Sequence, residues 1–248
     1  TSMAKGGLRD LVEGGFCRYS TDNEWLVPHF EKMTYDNALL SEVYLKAYHV
    51  SGNDFYKSVA FETLDFMLHH MSENGLFYSA SDADTEGEEG KYFVYTYEKT
   101  LRSFEKAGIP SKEHAALAKA LHITQEGNFE GRNIVRVDNP VQINIPYYHE
   151  AIKALKKRRE KRIHPFIDKK VLVSWNAMMI KSLFKASRVE SAYLKPAVKS
   201  LDALLESMYI HSELYHSTLM GKKPKIKAFL EDYAYLADVL IEAYQSTL

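Results

Sequence analysis

The feature that most constrains the fold of this chain is an internal repeat. Asn37-Ala38-Leu39-Leu40 lies over Asn176-Ala177-Met178-Met179, and Ala47 over Ala186. Further on, Leu64-Asp65 lies over Leu201-Asp202, Met71 over Met208, and Leu76-Phe77-Tyr78-Ser79 over Leu214-Tyr215-His216-Ser217. A supersecondary unit that recurs this way buries its apolar face against its own copies. The first copy shows what the unit is. Leu40, Val43, Tyr44, Ala47 and Tyr48 recur at helical spacing with Glu42 and Lys46 opposite, so a helix is predicted from Ala38, capped by Asp36 or Asn37. Ser51-Gly52-Asn53-Asp54 breaks it, and Phe55, Val59, Leu64, Met67, Leu68 and Met71 mark a second helix ending near Asn74-Gly75. Leu76 to Ser79 then reads as a short extended return. Ala234 opens a third copy, continued by Leu236, Val239, Leu240, Ala243 and Tyr244. The copies start 139 and 57 residues apart, which leaves room for a further unit in the first interval. Helices near Tyr97 to Ala107, Lys112 to Leu121 and Tyr147 to Arg162, with a Gly-rich hairpin around Gly127 to Val137, fill it.

Helical hairpins stack as an open solenoid or close into a double ring. Each copy is preceded by a polar, aromatic cluster: Tyr35-Asp36-Asn37, Ser174-Trp175-Asn176 and Glu231-Asp232-Tyr233. Only a ring brings these clusters together at one end of a cavity. The expected architecture is therefore all-α, an (α/α)6 toroid of the six-hairpin glycosidase type with short β-hairpins in its loops. Residues 1–248 form one partial toroid domain, its ring left incomplete at Leu248.

Composition narrows the function classes. The 32 basic and 33 acidic side chains exclude a generally basic nucleic-acid binder, and the run from Lys153 to Arg162 reads as a solvated helix face. A lone Cys17 leaves no internal disulfide framework and no Cys-based zinc site. No histidine pair sits at i, i+4 beside a glutamate, so no metal and no cofactor is expected. No apolar run approaches the roughly 20 residues of a membrane span, and the cytoplasm is the expected location. The 17 Tyr, 12 Phe and 2 Trp suit half-wet surfaces such as sugar-binding clefts, and suit large helical cores equally well.

The densest polar stretch is Trp25 to Asn37, where His29, Glu31, Lys32, Asp36 and Asn37 crowd among Trp25, Phe30 and Tyr35. Such groups either satisfy one another or line a cavity. Ser79 to Lys91 carries five carboxylates within eight residues. It is no EF-hand, because Phe93 stands where the bidentate glutamate belongs, and no phosphate loop, because the earlier glycine is missing. Two readings remain open. The loop folds over the cavity mouth and brings Asp82 or Asp84 to His29 and Glu31, or its acids satisfy backbone donors and Lys91. Gly127 to Asn133 reads first as a tight turn between strands; the alternative is that Glu130 and Asn133 reach a ligand. Asp168 and Lys169 either face the same cavity or form a structural ion pair.

Gly14 to Ser20, Trp25 to Asn37, Tyr78 to Asp84 with Glu86 to Gly90, Gly127 to Gly131 and Ser174 to Ala177 together resemble the YyaL-type thioredoxin-domain-containing proteins, the spermatogenesis-associated protein 20 family. The resemblance runs nearly end to end. It implies an (α/α)6 toroid related to N-acylglucosamine 2-epimerase and cellobiose epimerase barrels, set after a thioredoxin-like domain that is absent from this sequence. The family motif Gly-Gly-Phe-His-Arg-Tyr-Ser has Cys17 in place of its histidine here, so no role passes to that position.

The functional expectation is a carbohydrate ligand in the cavity, handled by a sugar epimerase- or isomerase-like site. Epimerisation beside a carbonyl needs a base and an acid on opposite faces of one carbon, and His29 with Glu31 or Asp82 supplies such a pair. Arg18 and Lys32 would stabilise an enolate, while Trp25, Tyr35 and Trp175 stack on sugar faces. Tyr19, Asn37, Glu130, Asp168, Asn176 and Asp232 complete the expected binding set. A glycoside hydrolase would instead pair Glu31 with Asp82 or Asp84. The rival expectation is a non-catalytic scaffold that binds a glycan or protein, associated with a thioredoxin-like domain. Either way, a second copy or further segments of a longer chain would cover the open ends, and neither nucleic acid nor membrane is an expected partner.

Overall fold

A computed structural model describes residues 1–139 and 145–248. Its helices are α1 (Ser2–Lys5), α2 (Thr34–Ser51), α3 (Asp54–His70), α4 (Tyr97–Lys106), α5 (Ser111–Ala120), α6 (Tyr148–Arg159), α7 (Val173–Ser187), α8 (Leu194–Met208) and α9 (Leu230–Thr247). The first helices of the three copies start at Thr34, Val173 and Leu230, which are 139 and 57 residues apart, the intervals read from the repeat. The expected start at Ala38 is four residues late. Asn37 lies inside the first turn and donates its amide back to Met33 O at 2.8 Å. The freed N–H of Thr34 goes to Ser79 O at 3.0 Å, so the return strand does the work expected of a cap.

The chain divides into two compact units, residues 1–31 with 82–166 and residues 32–81 with 167–248. In the second unit α7 lies between α2 and α9, with α3 packed on α2 and α8 on α7. This is the two-deep layering of an (α/α) toroid. Small side chains permit the close approach: Ala38, Ser41 and Ser182 are fully buried, and Ser182 Oγ donates to Ala38 O at 2.9 Å. Lys185 pairs with Glu42 on one flank of α7, and Lys181 with Asp238 and Arg188 with Glu242 on the other. Each hairpin returns through antiparallel strands, Ser72–Glu73 with Leu76–Phe77 and Tyr209–Ile210 with Glu213–Leu219. A three-stranded sheet of Lys32–Met33, Ala80–Ser81 and Ile167–Asp168 completes the unit's entrance to α2.

The first unit packs α4, α5 and α6 around Leu11, Val12, Phe104, Leu117, Leu121, Val135 and Leu155. The two-stranded hairpin expected over Gly127 to Val137 is instead a turn closed by single bridges, Phe129 to Arg132 and Tyr95 to Asn133. Side chains take the backbone partners that a strand would have used. The Asn133 carboxamide bonds Thr124 N and Thr124 O at 2.9 and 3.0 Å, and Asn128 serves His122 O, Ile134 O and Ile134 N. Asn133 is thus committed to the turn and not to a ligand.

A charge cluster sits inside this unit. Arg159 is 1% exposed, with Nη1 2.6 Å from Asp10 Oδ2 and 3.7 Å from Glu13 Oε2, and Nη2 donating to Phe93 O at 3.1 Å. Tyr92 donates its hydroxyl to Glu13 at 3.2 Å. Burial disfavours the guanidinium charge, but Asp10, Tyr95 and Glu13 outweigh it and hold the group above its usual range.

The N-terminal segment approaches Trp25 and Leu26 closely. A Cβ on Gly7 would meet Leu26 O at 2.0 Å and Ile134 Cγ2 at 2.6 Å, while Gly7 N donates to Trp25 O at 2.8 Å. Gly7→Ala is therefore expected to lower stability by about 1–3 kcal/mol through overpacking. Denaturant melts of the two proteins test this, and coincident curves would contradict the packing described. No helix among the described residues is long and apolar enough to cross a membrane.

Candidate functional site

Within the first unit, Tyr19–Ser20 pairs antiparallel with Pro28–His29. The turn between them is organised by Asp22, whose carboxylate accepts from Glu24 N at 2.7 Å, Leu26 N at 3.1 Å and Val27 N at 2.5 Å. Trp25 adopts a left-handed φ of 61° in that turn. Burial works against ionising Asp22, yet the N–H donors of Val27, Leu26, Glu24 and Trp25 prevail and hold its carboxyl below the usual range. Because the folded value lies below the unfolded one, the turn's contribution is present above the ordinary aspartate range and lost as pH falls through the lower folded value. Trp25 NMR signals should report opening of this turn in acid, and Asp22→Asn should show it already at neutral pH. Superimposable spectra at neutral pH would rule this out.

The hairpin sets one imidazole among charged and aromatic groups. The Tyr19 ring stacks on His29 at 5.0 Å and 24°. His29 Nδ1 lies 2.9 Å from Glu89 Oε1, and Nε2 lies 3.6 Å from Glu31 Oε2. Arg18 Nη1 holds that same Glu31 oxygen at 3.3 Å. Glu89 fixes the ring by a hydrogen bond, while the gap from Nε2 to Glu31 exceeds hydrogen-bond length. One nitrogen is anchored and the other faces a carboxylate across a partly exposed opening.

Arg18, Tyr19, His29 and Glu31 are therefore brought together as the sequence suggests. The acid that meets them is Glu89, which sequence reasoning did not single out. Asp82 and Asp84 are exposed, Asp82 Oδ1 accepts from Asp84 N at 3.3 Å, and neither contacts His29 or Glu31 among the described residues. Asp84–Thr85 pairs with Glu88–Glu89 as a β-hairpin, which carries Glu89 to the imidazole. Lys91 pairs with Glu86 and Glu88, and Arg132 with Glu88. Glu130 is exposed at a left-handed φ of 49°.

The second unit uses most of its candidate residues as internal ties. Lys32 is 1% exposed, with Nζ 4.0 Å from the Phe66 ring centre. Asn176 accepts from Phe77 N at 2.7 Å and donates to Phe77 O and Leu172 O at 3.0 Å each. Asp232, wholly buried, accepts from Ser174 N at 3.2 Å and Phe229 N at 2.9 Å and lies 2.8 Å from His216 Nδ1. Glu231 brings a third ligand-type atom within 4.8 Å, but both Asp232 oxygens already serve backbone donors, so this group caps helices. Asp168 pairs with Lys170 at 2.8 Å, and Lys169 turns to Glu73 at 3.5 Å. Burial raises the Asp168 carboxyl, and the Lys170 and Ser79 bonds more than reverse this. Tyr35 and Trp175, with ring centres 4.9 Å apart, remain half-exposed at the starts of α2 and α7. Cys17 is buried in the first unit.

Paired helices layered two deep, with Asn and Asp side chains tying their starts to return strands, define an all-α protein of the (α/α) toroid class. In sequence the chain is 29% identical to human spermatogenesis-associated protein 20 and 31% identical to the rat protein, in each case over 99% of its length. It spans about a third of those relatives, 37% and 36% respectively. The resemblance carried by the motifs from Gly14 to Ala177 thus extends along nearly the whole chain. No family model matches it. Among solved structures, a sugar epimerase from a ruminal bacterium aligns over 99% of this chain and 79% of its own, with 14% identity and a TM-score of 0.30, too low to transfer an activity.

Proposed function

We propose that this chain binds a carbohydrate at the surface formed by Arg18, Tyr19, His29, Glu31 and Glu89, with His29 as its proton-transfer group. The observation that carries this reading is the placement of His29, anchored at Nδ1 by Glu89, with Nε2 3.6 Å from Glu31 Oε2 on a side chain that is 28% exposed. An imidazole held at one nitrogen and accessible at the other is the arrangement general acid–base catalysis uses. Half-exposed Tyr19 and Trp25 add aromatic surface of the kind that sugar rings stack on. In an epimerase-like reaction, His29 Nε2 takes the proton from the carbon beside the sugar carbonyl. The C–H electron pair moves into a carbon–carbon double bond and the carbonyl pair moves to oxygen, giving an enediolate beside Arg18. A water proton delivered to the opposite face of that carbon completes the inversion, and His29 releases the abstracted proton to solvent. The test is incubation of the chain with aldoses and disaccharides in deuterium oxide. Loss of the sugar C2 proton signal that disappears in His29→Ala supports proton transfer, and retention of the signal in every sugar rejects it.

A binding module without turnover is the second reading. It is favoured by the engagement of Glu31 with Arg18, which leaves the charges of the cluster internally paired. Saccharide binding without exchange at C2 distinguishes it from the first.

A further inference from the structure

A groove of about 460 Å³ in the first unit is bounded by the end of α4 and the length of α6. Lys106, Lys153, Lys157, Arg158 and Lys161 line it against a single carboxylate, Glu150. The small side chains of Ser103, Ala107 and Ala154 complete its lining. None of the five cations has a side-chain hydrogen bond or ion pair among the described residues. The helix dipole favours cations in the last turns of α4 and α6, which suits Lys106, Lys157 and Arg158. It does not account for Lys153, more than a turn earlier, or for two helix ends directing their cations into one concavity. Lys153 and Lys157 stand one turn apart, about 6 Å along the axis.

We propose that this groove binds a compact polyanion carrying two or more phosphoryl groups. Its volume is that of a small-molecule site, and the unpaired cations repel one another until an anion of several charges neutralises them. Lysine ammonium groups and Arg158 provide the donors that phosphoryl oxygens take. No aromatic side chain lines the groove, which sets it apart from the stacking platforms of single-stranded nucleic-acid sites. The sequence run from Lys153 to Arg162 reads alone as a solvated face; the addition of Lys106 from α4 turns that face into a site.

Calorimetric titration of the full chain with inorganic tripolyphosphate at low salt tests the assignment. The expected result is saturable binding with one equivalent, weakened about tenfold in Lys153→Ala/Lys157→Ala because surface charges act at this scale when unscreened. Both lysines are exposed, so the fold should persist, and Lys222→Ala/Lys223→Ala controls for net charge. Absence of saturable binding, equal affinity in the groove variant, or an equal loss in the control variant would overturn the site. Tighter binding of oligothymidylate than of tripolyphosphate, with the same dependence on Lys153 and Lys157, would overturn the ligand class.

Discussion

Arg159→Met is expected to reduce folding stability by about 3–5 kcal/mol, the largest single effect in this chain. Methionine retains apolar bulk and removes the charge that faces Asp10 and Glu13, whose side chains are 5% and 2% exposed. Two carboxylates then remain buried without their cation, and Phe93 O loses its donor. The aromatic faces of Tyr92, Phe93 and Tyr95, 5.4 to 5.5 Å from the guanidinium carbon, also lose their cation. Replacing the charged set together, as Arg159→Met with Asp10→Asn and Glu13→Gln, should recover part of the loss, because the cost lies in the uncompensated charge more than in the missing attraction. Urea unfolding of the single and triple variants measures both. A single variant within about 1 kcal/mol of wild type would mean that the cluster does not hold this unit together.

Asn176→Ala follows, at about 3 kcal/mol. Its carboxamide serves both polar groups of Phe77 and the carbonyl of Leu172, so alanine strands three backbone groups, two of them on a fully buried residue. Asn176→Asp is nearly isosteric and keeps the acceptor for Phe77 N, but sets a carboxylate against two carbonyl oxygens. It should therefore fail to rescue. Thermal unfolding of the two variants checks this; rescue by aspartate would show that the two amide donations contribute little.

The scaffold was legible because its repeats share small residues where helices meet. Ala38 and Ala177 are both fully buried in the second unit, so matching them recovers helix starts 139 residues apart. Which helix end a side chain serves was not legible. Asn37, Asn176 and Asp232 read as cavity-lining groups beside aromatic rings, yet Asn37 binds Met33 O at its own helix start, Asp232 ties the starts of α7 and α9, and Asn176 binds the return strand at Phe77. The site divides the same way. Arg18, Tyr19, His29 and Glu31 are close in sequence and meet through one hairpin, which a dense polar run announces. Glu89 lies 60 residues from His29, and among five nearby acids the register of a two-residue hairpin decides which one arrives. The polyanion groove was half legible, since α6 carries most of its charge and α4 supplies the opposing wall.

The most direct test of the carbohydrate site is an amide NMR titration of the full chain with a panel of mono- and disaccharides. Saturable shifts confined to Arg18, Tyr19, His29, Glu31 and Glu89, abolished in Glu89→Ala, are the result expected. Shifts confined to other residues, or none with any sugar, would contradict it.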